Sequence, residues 1–573
     1  MMDEKMTQVW REYQVGRDYL QTAGFMRDWP EYERFKNGDQ WPAVTADTRD
    51  LPRPVLNIID YLIRNKVANI ISQSITMEFA PSDLTGENAQ EIEKAAELFT
   101  RYGKQTWYEI GQDELNAGVL EDAATLGAGW WHYYWNADKI GGTNTSYIGA
   151  LAGERVDSSC IFLCDPQNRN IQTQPYIIIP SRNDTKLVEE QLKAAGAKNV
   201  KNLPTDSYDS EKQIYDGDAE EQASQNKTTV LTKYFRQNGI VYMMKSVKDR
   251  IVVEPTPLNG NRRYPIEGFV WKERKQCAYG ISEVRGLIPA QRAINTIYAM
   301  LIQCLIKMGF PTPVVYPGAL GSKKITNKIG EILENRLGNK DAISYLQPPQ
   351  FNNAAFGVVD NLIGYIRTMT GVTEVLTGDR IVSDMAASAI MAIQAQNKMP
   401  LKATQNSFFR SIVNCGRIQE EFFKNYVNTP RPMVISNAIG KRESQTFTGT
   451  DYQAMSFGLE VKVGPAAEFG EIMSQASLDK FYDKGDLSMD EYVELSPPNI
   501  APWSEKLKQI RAKRAQQSDM LNNLAGDGLI SPEAIGMLGQ AGVIPVQLAE
   551  PAMQIAIQAQ QPQQPMEGGA QSG

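Results

Sequence analysis

Histidine is almost missing from this sequence: of 573 residues, His132 alone is one. A Ser-His-Asp triad or a histidine-based metal centre therefore has little material to draw on. Cysteine is scarce as well. Cys160, Cys164, Cys277, Cys304 and Cys415 are odd in number and scattered, which suits reduced, mostly buried thiols and not a disulfide framework. A basic excess is absent too: Lys and Arg total 59 against 67 Asp and Glu, a formal net charge of -8. Phosphate neutralisation supplies most non-specific affinity for DNA, so a chain of this sign is not built to grip nucleic acid tightly. Nor is there a long apolar run. The most apolar stretch, 293–308, is broken by Asn295, Gln303 and Lys307 and falls short of the about 20 apolar residues that span a bilayer. Residues 1–5 show no basic segment leading into an apolar one, so no secretory signal is expected. The expected location is the cytoplasm, or a particle assembled there.

Local chemistry motifs are equally sparse. No Gly-x-x-x-x-Gly-Lys-Ser/Thr loop occurs, and Gly318-Ala319-Leu320-Gly321-Ser322-Lys323-Lys324 has the composition of one with the wrong spacing; a surface turn is expected there. Asp483-Lys484-Gly485-Asp486 lacks the alternating acidic ligands and distal Glu of a calcium loop. Cys160 and Cys164 have no second pair to complete a zinc site. His132 sits in Trp130-Trp131-His132-Tyr133-Tyr134-Trp135, which reads as an aromatic strand packed into a core and not as a base or ligand. The residues thus imply no catalytic group, no cofactor and no metal, although carboxylates distant in sequence leave a metal-dependent nuclease or other hydrolase as the competing class. The most basic stretch, Lys506, Lys508, Arg511, Lys513 and Arg514, reads as a solvated helix face and secondarily as a DNA contact. Lys323, Lys324 and Lys328 form a smaller cluster of the same kind.

What is present is ordinary globular composition, 42% hydrophobic and 22% charged, in a chain long enough for several domains. The periodicities predict an α+β, mostly helical fold. Helices are expected over 3–22, from Leu56 onward with Ile59, Ile63, Val67 and Ile70 on one face, and over 88–103 and 108–126. After Gly127 the character turns to strand: 130–135, 147–156, 160–163, 176–179, then 228–236 and 240–246 about Asn238-Gly239, a type I′ hairpin signal. A helix over 184–196 precedes an acidic insertion, 202–226, that reads as a mobile loop. Short strands are expected at 251–254, 269–271, 433–435 and 459–463. Helices are expected over 282–308 and 356–370, and a long one over 385–427 reaches about 65 Å. Ser383 or Asp384 can cap that helix, and Pro400 in its middle predicts a kink, because proline removes a backbone donor and clashes with the preceding turn. From Pro545 the chain turns Gln-, Ala- and Pro-rich, which predicts a tail disordered at its end.

Four segments, in this order, resemble tailed-bacteriophage portal proteins: Gly38-Asp39-Gln40-Trp41-Pro42 with Arg53-Pro54-Val55-Leu56-Asn57; Ile161-Phe162-Leu163-Cys164-Asp165-Pro166; Tyr279-Gly280-Ile281-Ser282-Glu283 before Pro289-Ala290-Gln291-Arg292-Ala293-Ile294-Asn295; and Gly371-Val372-Thr373-Glu374-Val375-Leu376-Thr377-Gly378 before the kinked helix. The resemblance implies a portal-type fold: a wing (1–285, rejoined by strands at 428–465), stem helices 286–308 and 355–371 flanking a clip at 309–354, a tunnel loop at 372–384, the long helix 385–427, a helical crown at 466–545 and a tail at 546–573. It implies that Thr373, Glu374, Thr377, Asp379, Arg380 and Ser383 face a DNA channel, and that Lys323, Lys324 and Lys328 contact a terminase or adaptor. The implied function is a non-enzymatic ring, a dodecamer by family, that occupies one capsid vertex of the virion after assembly in host cytoplasm. The implied partners are the major capsid protein, scaffolding protein, the terminase large subunit, a head-tail adaptor, and double-stranded DNA passing without sequence specificity. Another virion component, such as a tail adaptor, is the structural alternative.

Overall fold

A computed structural model describes residues 6–71, 75–82, 89–142, 146–194, 196–197, 200–205, 226–310, 312–320, 324–325, 334–335, 337–338, 340–346, 354–370, 387–436, 442–463, 478–485, 492, 495, 514, 516–525, 527, 529–540 and 546–560. The chain divides into two compact units, residues 1–430 with 448–463, and residues 431–447 with 464–573.

The first unit begins with helices whose apolar residues recur at three and four. In α1 (Gln8–Thr22), Val9, Trp10, Tyr13 and Leu20 are buried, and the Thr7 hydroxyl caps the helix by accepting from Trp10 N at 3.2 Å. Phe25, Trp29, Tyr32 and Phe35 line the buried face of α2 (Phe25–Lys36). Then come α3 (Ile58–Ile71), β1 (Ile75–Pro81), α4 (Ala89–Glu109) and α5 (Gln112–Leu126).

The β-rich part starts at β2 (Ala128–Gly141), whose Trp130, Trp131 and Tyr133 are 0% exposed. With β3 (Tyr147–Val156) and β9 (Ile266–Val270) it forms a three-stranded antiparallel sheet in the order β3-β2-β9. A five-stranded antiparallel sheet runs through β4 (Phe162–Leu163), β5 (Tyr176–Asp184), β6 (Lys227–Gln237), β7 (Ile240–Ser246) and β8 (Ile251–Pro257), with α6 (Thr185–Ala194) after β5. The turn between β6 and β7 has positive φ at both Asn238 (51°) and Gly239 (80°), as a type I′ hairpin requires.

A small hairpin, β10 (Lys272–Arg274) and β11 (Cys277–Ile281), leads into α7 (Val284–Gly309). A short antiparallel pair follows, β12 (Pro313–Val315) with β13 (Ile343–Tyr345), then α8 (Ala354–Thr370) and the 40-residue α9 (Ala387–Tyr426). The helix of α9 runs unbroken through exposed Pro400. The second unit holds the hairpin of β14 (Arg431–Ser436) and β15 (Arg442–Phe447). In its helical part, residues 516–525, α10 (Pro532–Gln540) and α11 (Val546–Gln560) share a core of Leu521, Ala525, Ile535, Ala549, Ala552 and Ala556. The last strand of the first unit, β16 (Phe457–Val463), pairs antiparallel with β1.

Several elements depart from the sequence expectation. The strands expected at 433–435 and 459–463 fall in different compact units: β14 and β15 in the second, β16 in the first. The hairpin of β10 and β11 has no apolar alternation to announce it, since Lys272, Glu273 and Arg274 are all exposed. Part of the expected tail is helix. Ala549, Ala552 and Ala556 form a stripe at helical spacing, and Ala and Gln favour helix over coil; composition alone hid that period.

Candidate functional site

The first and third sequence motifs meet at the root of α7, whereas the fourth, 371–378, lies outside the described residues. The chain leaves β11 through Gly280, whose φ is +67°, and a Cβ there would come within 2.3 Å of Val270 Cγ1 and 2.7 Å of the Gly127 carbonyl oxygen. Only glycine fits that crossing. Ser282 then accepts from Val284 N at 3.0 Å and donates to the Thr125 carbonyl at 2.5 Å, which fixes the first turn of α7 against the end of α5. Glu283 is buried beside it. Its carboxylate accepts from Lys66 Nζ of α3 at 2.8 Å, Lys272 Nζ at 2.6 Å and Trp271 Nε1 at 3.0 Å. Burial pushes such an acid upward, but the two ammonium groups outweigh it and hold Glu283 down at about 2. Burial pulls Lys66 below the usual lysine value, against the attraction of Glu283.

Two turns further along α7, four amide side chains interlock. Asn295 Nδ2 donates to Gln40 Oε1 at 2.6 Å, and Gln291 Nε2 donates to Asn295 Oδ1 at 3.0 Å. Gln40 Nε2 reaches the Phe35 carbonyl at 2.7 Å and Asn57 Oδ1 at 3.0 Å. Asn57 caps α3 by accepting from Asp60 N at 3.3 Å, and its Nδ2 donates to the Lys36 carbonyl at 2.7 Å. The backbone joins in: Gln291 takes Leu56 O at 2.5 Å and Ile58 N at 3.2 Å, while Leu56 N donates to Asn295 Oδ1 at 3.3 Å. Trp41 Nε1 on the Pro54 carbonyl (2.9 Å) and Arg53 on the Pro42 carbonyl (2.8 Å) close the loop between the two halves of the motif. The residues that signal the family in sequence are thus the ones that clasp α2, α3 and α7 together.

Beyond this clasp α7 leaves the core. Of its later residues Leu301 alone is buried, while Leu305 (58%), Ile306 (50%) and Phe310 (67%) are exposed, as are Val314, Tyr316, Tyr345 and Leu346 next to them and Val358 and Tyr365 on α8. Such a density of exposed large apolar groups marks a surface meant to meet another chain. Lys324 is exposed in the same region, and Lys323 and Lys328 lie outside the described residues. Thr373, Glu374, Thr377, Asp379, Arg380 and Ser383 also lie outside them, between α8 and α9.

The later half of α9, by contrast, is embedded. Leu401, Phe408, Ile412, Cys415, Ile418, Phe422 and Phe423 are buried. A polar stripe runs beside them along β9 and the loop before it. Ser411 donates to the Gly268 carbonyl at 3.3 Å, Asn414 to Glu267 at 2.8 Å and Asn425 to Asn261 at 2.7 Å, while Glu421 Oε2 accepts from the backbone N–H groups of Arg262 (2.8 Å) and Arg263 (2.9 Å). Burial raises Glu267 to about 7, against the Asn414 hydrogen bond and nearby Arg263. Sequence reading had no sign of these pairings, which join residues about 150 positions apart.

His132 is buried in the strand as expected, yet has partners that no sequence motif announces. Nδ1 lies 2.7 Å from Glu154 Oε1, and Nε2 lies 2.9 Å from the Tyr234 hydroxyl. A carboxylate only accepts, so Nδ1–H donates to Glu154, and Nε2 pairs with the Tyr234 hydroxyl. Both ring nitrogens are thereby satisfied between the two sheets. All five cysteines are free thiols, Cys277 and Cys415 buried. Among the described residues, no three or more His, Cys, Asp or Glu gather as metal ligands would, and no helix is long and apolar enough to cross a membrane.

Fold and surface together define an α+β protein whose α7, α8 and β12–β13 pair expose large apolar groups, as a chain that assembles with others would. The sequence profile of the phage P22-like portal proteins matches residues 17–468, and the chain belongs to that family. None of the curated proteins compared with it matches. The chain is therefore a phage portal protein, of a family that is structural and not enzymatic.

Proposed function

We propose that copies of this chain close into a ring, a dodecamer in the simplest family reading, at one capsid vertex. The genome is packaged and later ejected through its channel. In this reading α7 and α8 are the stem, 309–354 is the clip, and 372–384 is a tunnel loop whose Thr373, Glu374, Thr377, Asp379, Arg380 and Ser383 face DNA. The clip, with Lys323, Lys324 and Lys328, is the platform for the terminase large subunit and afterwards for the head-tail adaptor. The terminase hydrolyses ATP; this chain contributes no catalytic residue. The wing and the helical C-terminal part meet the major capsid protein and the scaffolding protein during assembly in host cytoplasm.

The observation that carries the reading is the apolar surface on α7, α8 and the clip, exposed in one chain, which a second copy related by rotation would cover. The net charge of -8 supports the conduit, since DNA has to slide past a wall that does not hold it. Negative-stain microscopy of the purified chain tests it. Rings with an axial hole are expected; a uniform population of 64.0 kDa monomers at micromolar concentration overturns the reading.

A further inference from the structure

A ring of identical subunits closes when the rotation from one copy to the next is a whole fraction of a turn. That rotation is about 30° for twelve copies and about 28° for thirteen, so a few degrees separate neighbouring ring sizes. Whatever fixes the contact-bearing stem on its own wing to that tolerance also fixes the count.

We propose that the amide clasp of Gln40, Asn57, Gln291 and Asn295 sets the angle at which α7 leaves the wing and, through that angle, the number of subunits in the ring. The proposal rests on the ring reading above. Three features of the clasp carry it. Its place is the last buried stretch before α7 projects, since Gln291, Ile294 and Asn295 are buried and only Leu301 is buried beyond them. From Asn295 to Gly309 the helix reaches about 21 Å, so a tilt of about 3° at the clasp moves its tip by about 1 Å.

The second feature is direction. Apolar contacts tolerate sliding and rotation, whereas an amide hydrogen bond weakens steeply once bent. Here α7 is tied to the end of α2 through Gln40 and the Phe35 carbonyl, and to the start of α3 through Leu56 and Ile58. The helix is thus anchored to two different elements. The third feature is closure. Each of the four amides both donates and accepts, Gln40 and Asn295 through one another and their clasp partners, Asn57 also to the Lys36 carbonyl and Gln291 also from Ile58 N, so losing one member leaves the others misaligned as a set.

Native mass spectrometry and end-on microscopy class averages of full-length rings test the proposal. The wild type is expected to give one ring size. Asn295→Leu and Gln40→Leu are expected to give at least two adjacent sizes, with neither above about three quarters of the population. Asn295→Ser keeps an acceptor near Leu56 N but loses reach to Gln40, and serves where leucine prevents folding. Ser158→Ala is the control: it removes the buried bonds to Trp130 (3.0 Å) and the Ala128 carbonyl (2.7 Å), away from α7, and is expected to lower the melting temperature while keeping one size. Folded clasp variants with the single wild-type size overturn the proposal, as does a control that broadens equally. A wild type that forms no ring sinks the ring reading itself, a result distinguishable from either.

Discussion

Lys66 Nζ and Glu283 Oε1 meet 2.8 Å apart inside the first unit, with side chains only 6% and 5% exposed. One belongs to α3 and the other immediately precedes α7, so the pair joins two elements 217 residues apart. Attraction between buried charges only roughly offsets the cost of removing both from water. The value of this pair therefore lies less in net stability than in the heavy penalty for any arrangement that parts it.

That asymmetry gives the first prediction. Lys66→Met strands a carboxylate with Lys272 as its remaining cation, and destabilisation of about 3 kcal/mol is expected. Adding Glu283→Leu to Lys66→Met removes the stranded charge, and the double variant is expected to recover at least half of the loss in urea denaturation. Equal instability of the single and double variants would show that the pair acts only by packing.

Glu267 makes stability depend on pH in the opposite sense to an ordinary paired acid. Its folded value is raised to about 7 by burial, above the 4.5 it has when exposed, so the folded chain binds a proton that the unfolded chain has lost. The contribution is full below pH 4.5 and fades as pH rises through 7. It amounts to about 3 kcal/mol at most. Asp122, also raised to about 7 by burial, acts in the same direction. Melting temperature is expected to fall between pH 5.5 and pH 8, as about one unit of protonation per group predicts. Glu267→Gln, which can still accept from Asn414, is expected to flatten this slope. An unchanged slope rules Glu267 out as its source.

The exposed apolar residues of α7 separate folding from assembly in the proposed ring. Ile306→Asp and Phe310→Asp alter side chains that are 50% and 67% exposed, so the monomer fold is expected to survive with an unchanged circular dichroism spectrum. Burying a large apolar group contributes about 1.5–3 kcal/mol per side chain, and placing a carboxylate in that interface costs more. Under the ring reading, light scattering after size exclusion is expected to show monomer at concentrations where the wild type forms rings. Rings of normal size from both variants would move the interface elsewhere.

The sequence made some parts of this molecule legible and hid others for physical reasons. Local periodicity announced α1, α3, α5, β3 and the hairpin at Asn238-Gly239, because each is specified by its own residues. It missed β1, where only Met77 and Phe79 turn inward and the partner strand β16 lies almost 400 residues away. The clasp is an intermediate case. Gln40, Asn57, Gln291 and Asn295 stood inside the segments that carried the family resemblance, yet nothing local showed that 40 and 295 touch. Contacts such as Glu421 with the Arg262 and Arg263 backbone are made by the fold alone. No spacing rule reaches across 159 positions.

The tunnel-loop proposal separates packaging from assembly. Glu374→Gln and Asp379→Asn remove charge from the segment between α8 and α9 and leave the exposed apolar residues of α7 and α8 unaltered, so ring formation is expected to match the wild type. If that loop faces DNA, the amount packaged per particle is expected to drop several-fold, since wall charge governs how freely a polyanion slides. Normal packaging by both variants would place the channel contact elsewhere.

Glu421 offers the last test, because it ties the embedded part of α9 to the loop before β9. One carboxylate oxygen takes two backbone N–H groups at 2.8 and 2.9 Å, and the Arg263 guanidinium lies 3.7 Å from the other. Charge-assisted bonds of this kind contribute about 1.5–3 kcal/mol. Glu421→Gln keeps one acceptor oxygen and loses the charge, so a loss near the lower end is expected; Glu421→Ala frees both N–H groups and is expected to cost more. Hydrogen exchange reads the difference directly. The amides of Arg262 and Arg263 are expected to exchange at least tenfold faster in Glu421→Ala, while those of α7 stay protected. Faster exchange throughout α7 as well would mean that α9 and α7 unfold as one unit, and the division of labour between the clasp and the α9 stripe would fall.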